Sequence, residues 1–512
     1  MTEPPPPIQT ASLTLIRFDR GRPEVFWARR RADRSFLGGC FAFFAGGQEP
    51  TDRALPTTLT SRDRGDDAPA AHASDPHTGV TRNEDVLRAT ALRECFEECG
   101  ALFCESGLIT SPAGSPRRAR TLPAHLPSPL ATHRLRYHFS RRTPSWMPPA
   151  DTAFFTLRLS DEEARALDNL NAWLDPDEHD EGAWMPPQAA LQSWEDGQAL
   201  ATTPIIGLLN AVAQDIEPAR NTEAAPLPLD PNPQPVAEAV AYLGGVVVLP
   251  LRTATLPPAT HTNTYLLGRS SFVIVDPGPD DPADRALLSA EIERRIAAGD
   301  TPQAVILTHH HRDHIGGAGL IAARFNLPIF AHPLSAPLLP HLKTRTLNHG
   351  ETVALGEFGE LEVLHTPGHA PGHIALYHEP SQSIFAGDLV TSQGTIIIDP
   401  PEGHMGDYLQ SLHTLLAMQP RVLWPAHGAP IAAPEHLLSR YIDHRLAREA
   451  AVLAALQARP TPAVPEDLIA AVYPEIPRAI WPLAARSLLA HLLHLSEQRL
   501  ATHHDNGSFV AT

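Results

Sequence analysis

The stretch AVILTHHHRDHIGG, from Ala304 to Gly317, decides how this 512-residue chain is read. Ala304 to Leu307 form an apolar run of buried-strand length, and Gly316-Gly317 lead into a helical pattern. The polar cluster therefore falls just past the C-terminal end of a strand, where α/β folds commonly gather ligands. His309 and His311 alternate, so both imidazoles can face one way, while Asp313 and His314 follow as the chain turns. Imidazole nitrogen with carboxylate oxygen suits Zn²⁺, and less specifically Fe or Mn. His310 is read as a solvated side chain without a role.

Further candidates recur downstream, each closing an apolar segment. LEVLHTPGHAPGH offers His369, flanked by His365 and His373; SIFAGDLV offers Asp388; VLWPAHG offers His427. Upstream, FVIVDPG places Asp276 where a strand gives way to a loop. The histidines share this bias: 6 of the 27 precede residue 221 and the other 21 follow it.

A strand Asp, HxHxDH, TPGH, GD and a final HG resemble, in that order, the metallo-β-lactamase superfamily, over roughly Val246 to Pro430. The resemblance implies an αβ/βα four-layer sandwich with two metals at one edge of the sheets. It further implies one metal on His309, His311 and His369 and a second on Asp313, His314 and His427. Asp388 would bridge the two, and Asp276 would orient ligands from behind. Asp313 and Asp388 count as catalytic on this basis. Two Zn (or Fe/Mn) ions would supply hydroxide at neutral pH for attack on an ester, thioester or phosphodiester, and the motif does not choose among them. The segments TSQGTIIIDPPEGHMGDYLQSLHTLL and LLAHLLHLSEQRLAT are similar to the β-lactamase-like protein 2 group, which looks glyoxalase-II-like and ends in a small winged helix. That group implies an alternative, a single-strand endoribonuclease, with Arg440, Arg445, Arg448, Arg478, Arg486 and Arg499 as a local basic surface for single-stranded RNA.

The first half carries a second pattern. LRATALRECFEECGALF sets Glu94, Glu97 and Glu98 at i, i+3 and i+4, so three carboxylates project from one helix face. Like charges so close repel, and a shared Mg²⁺ or Mn²⁺ is the economical explanation. With the upstream FLGGCFAFFAGGQ, this helix resembles the Nudix hydrolases, whose box reads Gx5Ex7REUxEExGU (U, aliphatic), over about Ser12 to Ala213. Counting back from Arg93 puts Asp85 at the first Glu and Gly79 at the Gly; the preferred start is Gly46-Gly47, with an Asp-, Ala-, Pro- and Thr-rich insertion over about 49–81. The resemblance implies an α/β/α sandwich that cleaves a nucleoside diphosphate linked to X, coenzyme A included. Glu94, Glu97 and Glu98 would bind Mg or Mn, with Glu97 and Glu98 catalytic and Arg93 orienting a glutamate. In the alternative reading this half is degenerate and senses a nucleotide.

The expected class is thus α/β and α+β multidomain: 1–216 Nudix-like, 217–235 a Pro-rich linker, 236–433 metallo-β-lactamase-like and 434–512 a winged helix. Two or three domains suit the length. The 53 prolines, about twice ordinary usage, predict long irregular connections. A formal charge of −18 argues against broad charge-driven nucleic-acid binding. No apolar run of about 20 residues predicts a membrane span, and MTEPPPPIQT lacks the regions of a secretory signal. The four cysteines, all within the first 104 residues, read as free thiols of a cytoplasmic protein. Oligomeric state is not legible.

Overall fold

The computed structural model describes residues 6–34, 37–57, 84–112, 120, 122, 125–214, 238–392 and 394–512, with the backbone of 73–74 and 81–82. The expected linker 217–235 and most of the 49–81 insertion, Gly79 included, lie outside the described residues. The chain divides into two compact units, Met1–Gly244 and Gly245–Thr512. No described helix is long and apolar enough to cross a membrane.

In the first unit, strands run in the order His179–Met185, Arg22–Arg30, Ile8–Asp19, Ala150–Arg158 and Leu135–Arg142. Ile8–Asp19 pairs in parallel with Ala150–Arg158, and the other neighbours are antiparallel. Side chains alternate across the pleat. Phe26 and Ala28 accordingly join a core with Leu87, Leu92 and Phe96 of helix Glu84–Cys99. Val25 and Trp27 face the other way, onto Ala190, Leu208 and Leu209 of helices Pro187–Glu195 and Thr203–Gln214. The result is a helix–sheet–helix sandwich. All four cysteines are buried and free, with Cys95 and Cys99 sulfurs 3.6 Å apart.

The second unit has two sheets. Its first carries, in order, Val246–Arg252, His261–Gly268, Ser271–Val275, Thr301–Ile306, Ile329–Ala331 and Thr344–Thr346. Its second carries Thr352–Ala354, Glu360–His365, Ile374–His378, Ser383–Gly387 and Val422–Pro425. The sheets meet face to face: Tyr265 packs edge-on to Phe385 at 5.3 Å, and its hydroxyl donates to Pro425 O at 2.6 Å. Helices Pro282–Ala297 and Ala318–Phe325 flank the first sheet, and Met405–Ala417 packs on the second. The order of layers is helix, sheet, sheet, helix.

The boundary expected near 433 coincides with the start of one continuous helix, Pro434–Gln457. Leu437, Leu438, Tyr441 and Ile442 pack with Tyr408 and Leu412 of the sandwich. Further along, Val452 and Leu456 pack with Leu488, Leu492 and Phe509 of the appendage. Two apolar stripes on one helix make it common to both cores. The appendage continues through Pro465–Val472, Trp481–Glu497 and the antiparallel pair Ala501–His503 and Phe509–Ala511 around Asn506-Gly507. Pro465 sits in the first turn of its helix, where a missing N–H costs nothing.

Glu449 ties these helices together, its carboxylate 2.7 Å from His494 Nδ1 and 3.4 Å from His491 Nδ1. Burial pushes its pKa up, but the hydrogen bonds to the two histidines prevail and hold it at about 2. A carboxylate depressed on folding stabilises the protein above its unfolded pKa and loses that contribution as pH falls toward 2. Glu449→Gln should therefore lower the stability of this unit at pH 6 by about 2 kcal/mol. Urea midpoints measured at pH 6 and pH 3 should show the gap to wild type shrinking at the lower pH.

Candidate metal centre

Five strands of the second unit end at one edge, and each delivers a polar residue there. Ser271–Val275 is followed by Asp276, Thr301–Ile306 by the 309–314 cluster, Glu360–His365 by His369, Ser383–Gly387 by Asp388 and Val422–Pro425 by His427. Asp276 takes φ +49, a left-handed turn that Asp tolerates. Gly278 follows because a Cβ there would lie 1.9 Å from the Asp313 carbonyl oxygen.

Three ring nitrogens converge first. His311 Nδ1 lies 3.0 Å from His309 Nε2 and 2.9 Å from His369 Nε2. Beside them, Asp313 Oδ2 is 3.5 Å from His427 Nε2 and 3.8 Å from His314 Nε2. Asp388 stands between the groups: Oδ1 is 3.2 Å from His427 and 3.4 Å from His314, while Oδ2 is 3.5 Å from His369. The outward ring nitrogens are committed elsewhere. His369 Nδ1 donates to Ile397 O at 2.9 Å and His427 Nδ1 to His261 O at 2.9 Å. His314 Nδ1 donates to Asp276 Oδ2 at 2.8 Å, and Asp276 also accepts from the Thr308 N–H and hydroxyl. Each such bond fixes the ring and turns its other nitrogen inward.

Burial, reinforced by neighbouring rings, holds His309 well below its usual pKa and His311 at about 4, and burial likewise lowers His369; all three rings stay neutral. Burial also disfavours charge on His314 and His427, but Asp388 leads the contacts that raise both. Burial would raise Asp388 as well, yet His427 and His314 hold it well below the carboxylate range. His314 Nε2 and Asp388 Oδ1 are buried without a hydrogen-bond partner. Such atoms are costly unless something completes them, and a cation at each donor set does so. One set is three nitrogens and a carboxylate oxygen, the other two nitrogens and two oxygens; both fit Zn, Fe or Mn.

In the first unit the glutamates are arranged differently from a single shared cation cage. Arg93 stands among them, 2.8 Å from Glu94 and 3.2 Å from Glu97. Glu98 instead accepts from the Ala45 N–H at 3.2 Å and faces His179 Nε2 at 3.4 Å. Among the described residues, every group of three ligand atoms close enough to hold a metal lies in the second unit. Gly46 is needed here, since a Cβ would lie 2.1 Å from the Glu94 carboxylate.

Residues 257–427 match the family described as Metallo-beta-lactamase superfamily, and residues 465–508 match the Beta-lactamase associated winged helix domain. A Beta-lactamase-like protein 2 homolog from Drosophila melanogaster is 32% identical over 250 residues, 46% of this chain and 82% of that protein. This chain belongs to the metallo-beta-lactamase superfamily. Its second unit is accordingly a metallo-beta-lactamase-type, metal-dependent hydrolase. An atrochrysone carboxyl ACP thioesterase from Aspergillus chevalieri is 30% identical over 38% of this chain and 60% of that protein. The crystal structure of a beta-lactamase domain protein from Burkholderia ambifaria is 22% identical, covers 55% of this chain and 95% of its own, and gives a TM-score of 0.48.

Within this superfamily framework the structure brings together the seven candidate ligands of the second unit, and it sets Asp276 behind His314. His365 and His373 stay outside the two groups. His365 Nε2 donates to Pro371 O, and both nitrogens of His373 are occupied, by Thr366 Oγ1 and the Asp388 N–H. Thr308 and the Ile397 carbonyl were not legible as orienting groups, because a backbone oxygen leaves no trace in sequence. The first unit hid Asp52. It is buried, 2.6 Å from Arg93 Nε, and accepts from the Thr90 hydroxyl at 2.8 Å. Asp52 lies six residues beyond Gly46 in sequence. Asp85, in the first turn of its helix, is eight residues or about 12 Å along the axis from Arg93.

Asp276→Asn keeps the shape but removes the charge facing His314. Chelator competition should show metal affinity falling about 10–100-fold, with the fold retained by circular dichroism.

Proposed function

We propose that the second unit hydrolyses a thioester of a small organic acid at a dinuclear centre. His309, His311 and His369 would hold one cation; Asp313, His314 and His427 would hold the other, with Asp388 shared. The division of the two Asp388 oxygens between the groups carries this reading. Bound cations would supply Lewis-acid polarisation of the acyl carbonyl and a lowered pKa for water. The chain's own residues do the rest. The neutral imidazoles present lone pairs inward, Asp388 offsets charge between the two positions, and Asp276 with Thr308 fixes the ring of His314. In the overall reaction a water oxygen joins the acyl carbon and the C–S bond breaks. The sulfur leaves as a thiol carrying one water proton, the acid is released as carboxylate, and the other proton passes to solvent. The thioesterase among the relatives supports the choice of bond.

The endoribonuclease alternative draws less support. Arg445 bonds Thr395 and the Ile396 carbonyl, Arg448 bonds the Val472 carbonyl and stacks on Tyr473, and Arg486 pairs with Asp399. Three of the six arginines offered for RNA are thus engaged within the chain.

For the first unit we propose a Nudix-type diphosphatase acting on a nucleoside diphosphate linked to X, coenzyme A among the candidates. The Asp52–Arg93–Glu94 chain beneath Gly46-Gly47 supports it. Mg²⁺ is commonly held by one or two carboxylates together with substrate phosphates, so no complete protein cage is required before substrate binds.

One screen tests both proposals: S-lactoylglutathione, coenzyme A and single-stranded RNA, each offered to wild type, Asp388→Ala and the Glu97→Gln, Glu98→Gln pair. Thioester hydrolysis lost only with Asp388, and coenzyme A cleavage lost only with the glutamates, is expected. RNA cleavage lost with Asp388, without any thioester hydrolysis, would overturn the thioester reading.

A further inference from the structure

The loop Gly394–His404 touches two histidines of the metal centre, His369 and His311, and the adjacent His310. Its Ile397 carbonyl accepts from His369 Nδ1. Its Glu402 Oε2 lies 3.0 Å from His310 Nε2 and 3.6 Å from His311 Nε2. His311 turns Nδ1 inward to His309 and His369, so its Nε2–H points out toward that carboxylate. At the loop's end, the His404 N–H donates to Gly368 O at 2.8 Å, beside His369.

An exposed carboxylate on a loop gains little from a single ion pair, because ordering costs side-chain and backbone entropy. Here the loop is anchored from outside the sandwich. Arg486, in helix Trp481–Glu497 of the winged helix, grips both oxygens of Asp399, with Nε 2.6 Å from Oδ1. Glu497, at the end of the same helix, is 2.9 Å from His404 Nε2. Arg445, on the shared helix, bonds Thr395 Oγ1 at 3.1 Å and the Ile396 carbonyl. Asp399 and His404 bracket Glu402 in sequence, so one appendage helix fixes the chain on both sides of it.

We propose that Glu402 is a positioning residue for His311 and His310, and that the winged helix holds it in place through Arg486–Asp399 and Glu497–His404. The proposal rests on the dinuclear reading of the site. A carboxylate on the outer N–H of a ligand imidazole fixes the ring and makes its inner nitrogen a better donor. The appendage thereby acts on the metal centre without contributing a ligand, and His310 gains a role as the second contact of Glu402.

The test uses full-length protein stripped of metal and titrated with Co²⁺, read by chelator competition and by the visible ligand-field spectrum. Glu402→Gln should weaken one of two cobalt sites by about 10–100-fold and shift its absorption. Arg486→Ala with Glu497→Gln, both remote from the ligands, should move the same site in the same direction, and Arg486→Lys should recover most of it. Wild-type affinity and spectrum in Glu402→Gln would overturn the proposal even if the double variant failed to fold. Wild-type protein that takes up no cobalt would overturn the metal-centre reading itself, and this proposal with it.

Discussion

Asp388→Ala protein should fold, lose about 10³-fold or more in kcat/KM for any substrate of the second unit, and retain fewer than two metal ions. The two carboxylate oxygens of Asp388 face different donor groups, so its removal weakens both. It also withdraws a negative charge from among five imidazoles, leaving Asp313 as the carboxylate within the two donor groups. The fold should survive because the backbone contact at this position, Asp388 N–H to His373 Nε2, does not need the side chain. Steady-state kinetics, elemental analysis and circular dichroism on the same preparation check the three parts. Full activity in Asp388→Ala would remove the shared ligand from the account.

The second large effect belongs to the first unit. Glu97→Gln with Glu98→Gln should reduce Mg²⁺-dependent diphosphate cleavage by at least about 10²-fold while leaving thioester hydrolysis unchanged. The substitution keeps the volume of both side chains. A glutamine oxygen can still accept from the Ala45 N–H as Glu98 does, so the glycine strand stays in place. What is lost is anionic oxygen, which a hard cation such as Mg²⁺ requires. Phosphate release measured beside thiol release separates the units. Equal loss of both activities would contradict independent sites.

The sequence carried the metal centre almost whole, for a physical reason. Strands that are buried on both faces read as apolar runs, so Asp276, His309, His369, Asp388 and His427 could each be read as closing such a run, and the family resemblance joined them in one site. What it hid depended on tertiary approach. Glu402 is 92 residues from His310, on a loop with no periodicity, and only the folded chain brings them together. Asp52 is 41 residues from Arg93, and only the folded chain brings the carboxylate to the guanidinium. The three glutamates lie on helix Glu84–Cys99, yet helix geometry alone could not show that Arg93 would occupy the space between two of them. The helix Pro434–Gln457 was legible, but not that its two ends serve different cores, since both stripes are simply apolar in sequence.

Element-specific anomalous diffraction from crystals of the wild-type protein tests the central claim most directly. Two metal peaks are expected, one among His309, His311 and His369 and one among Asp313, His314 and His427, with Asp388 reaching both. A single peak, or none, in fully active protein would contradict it.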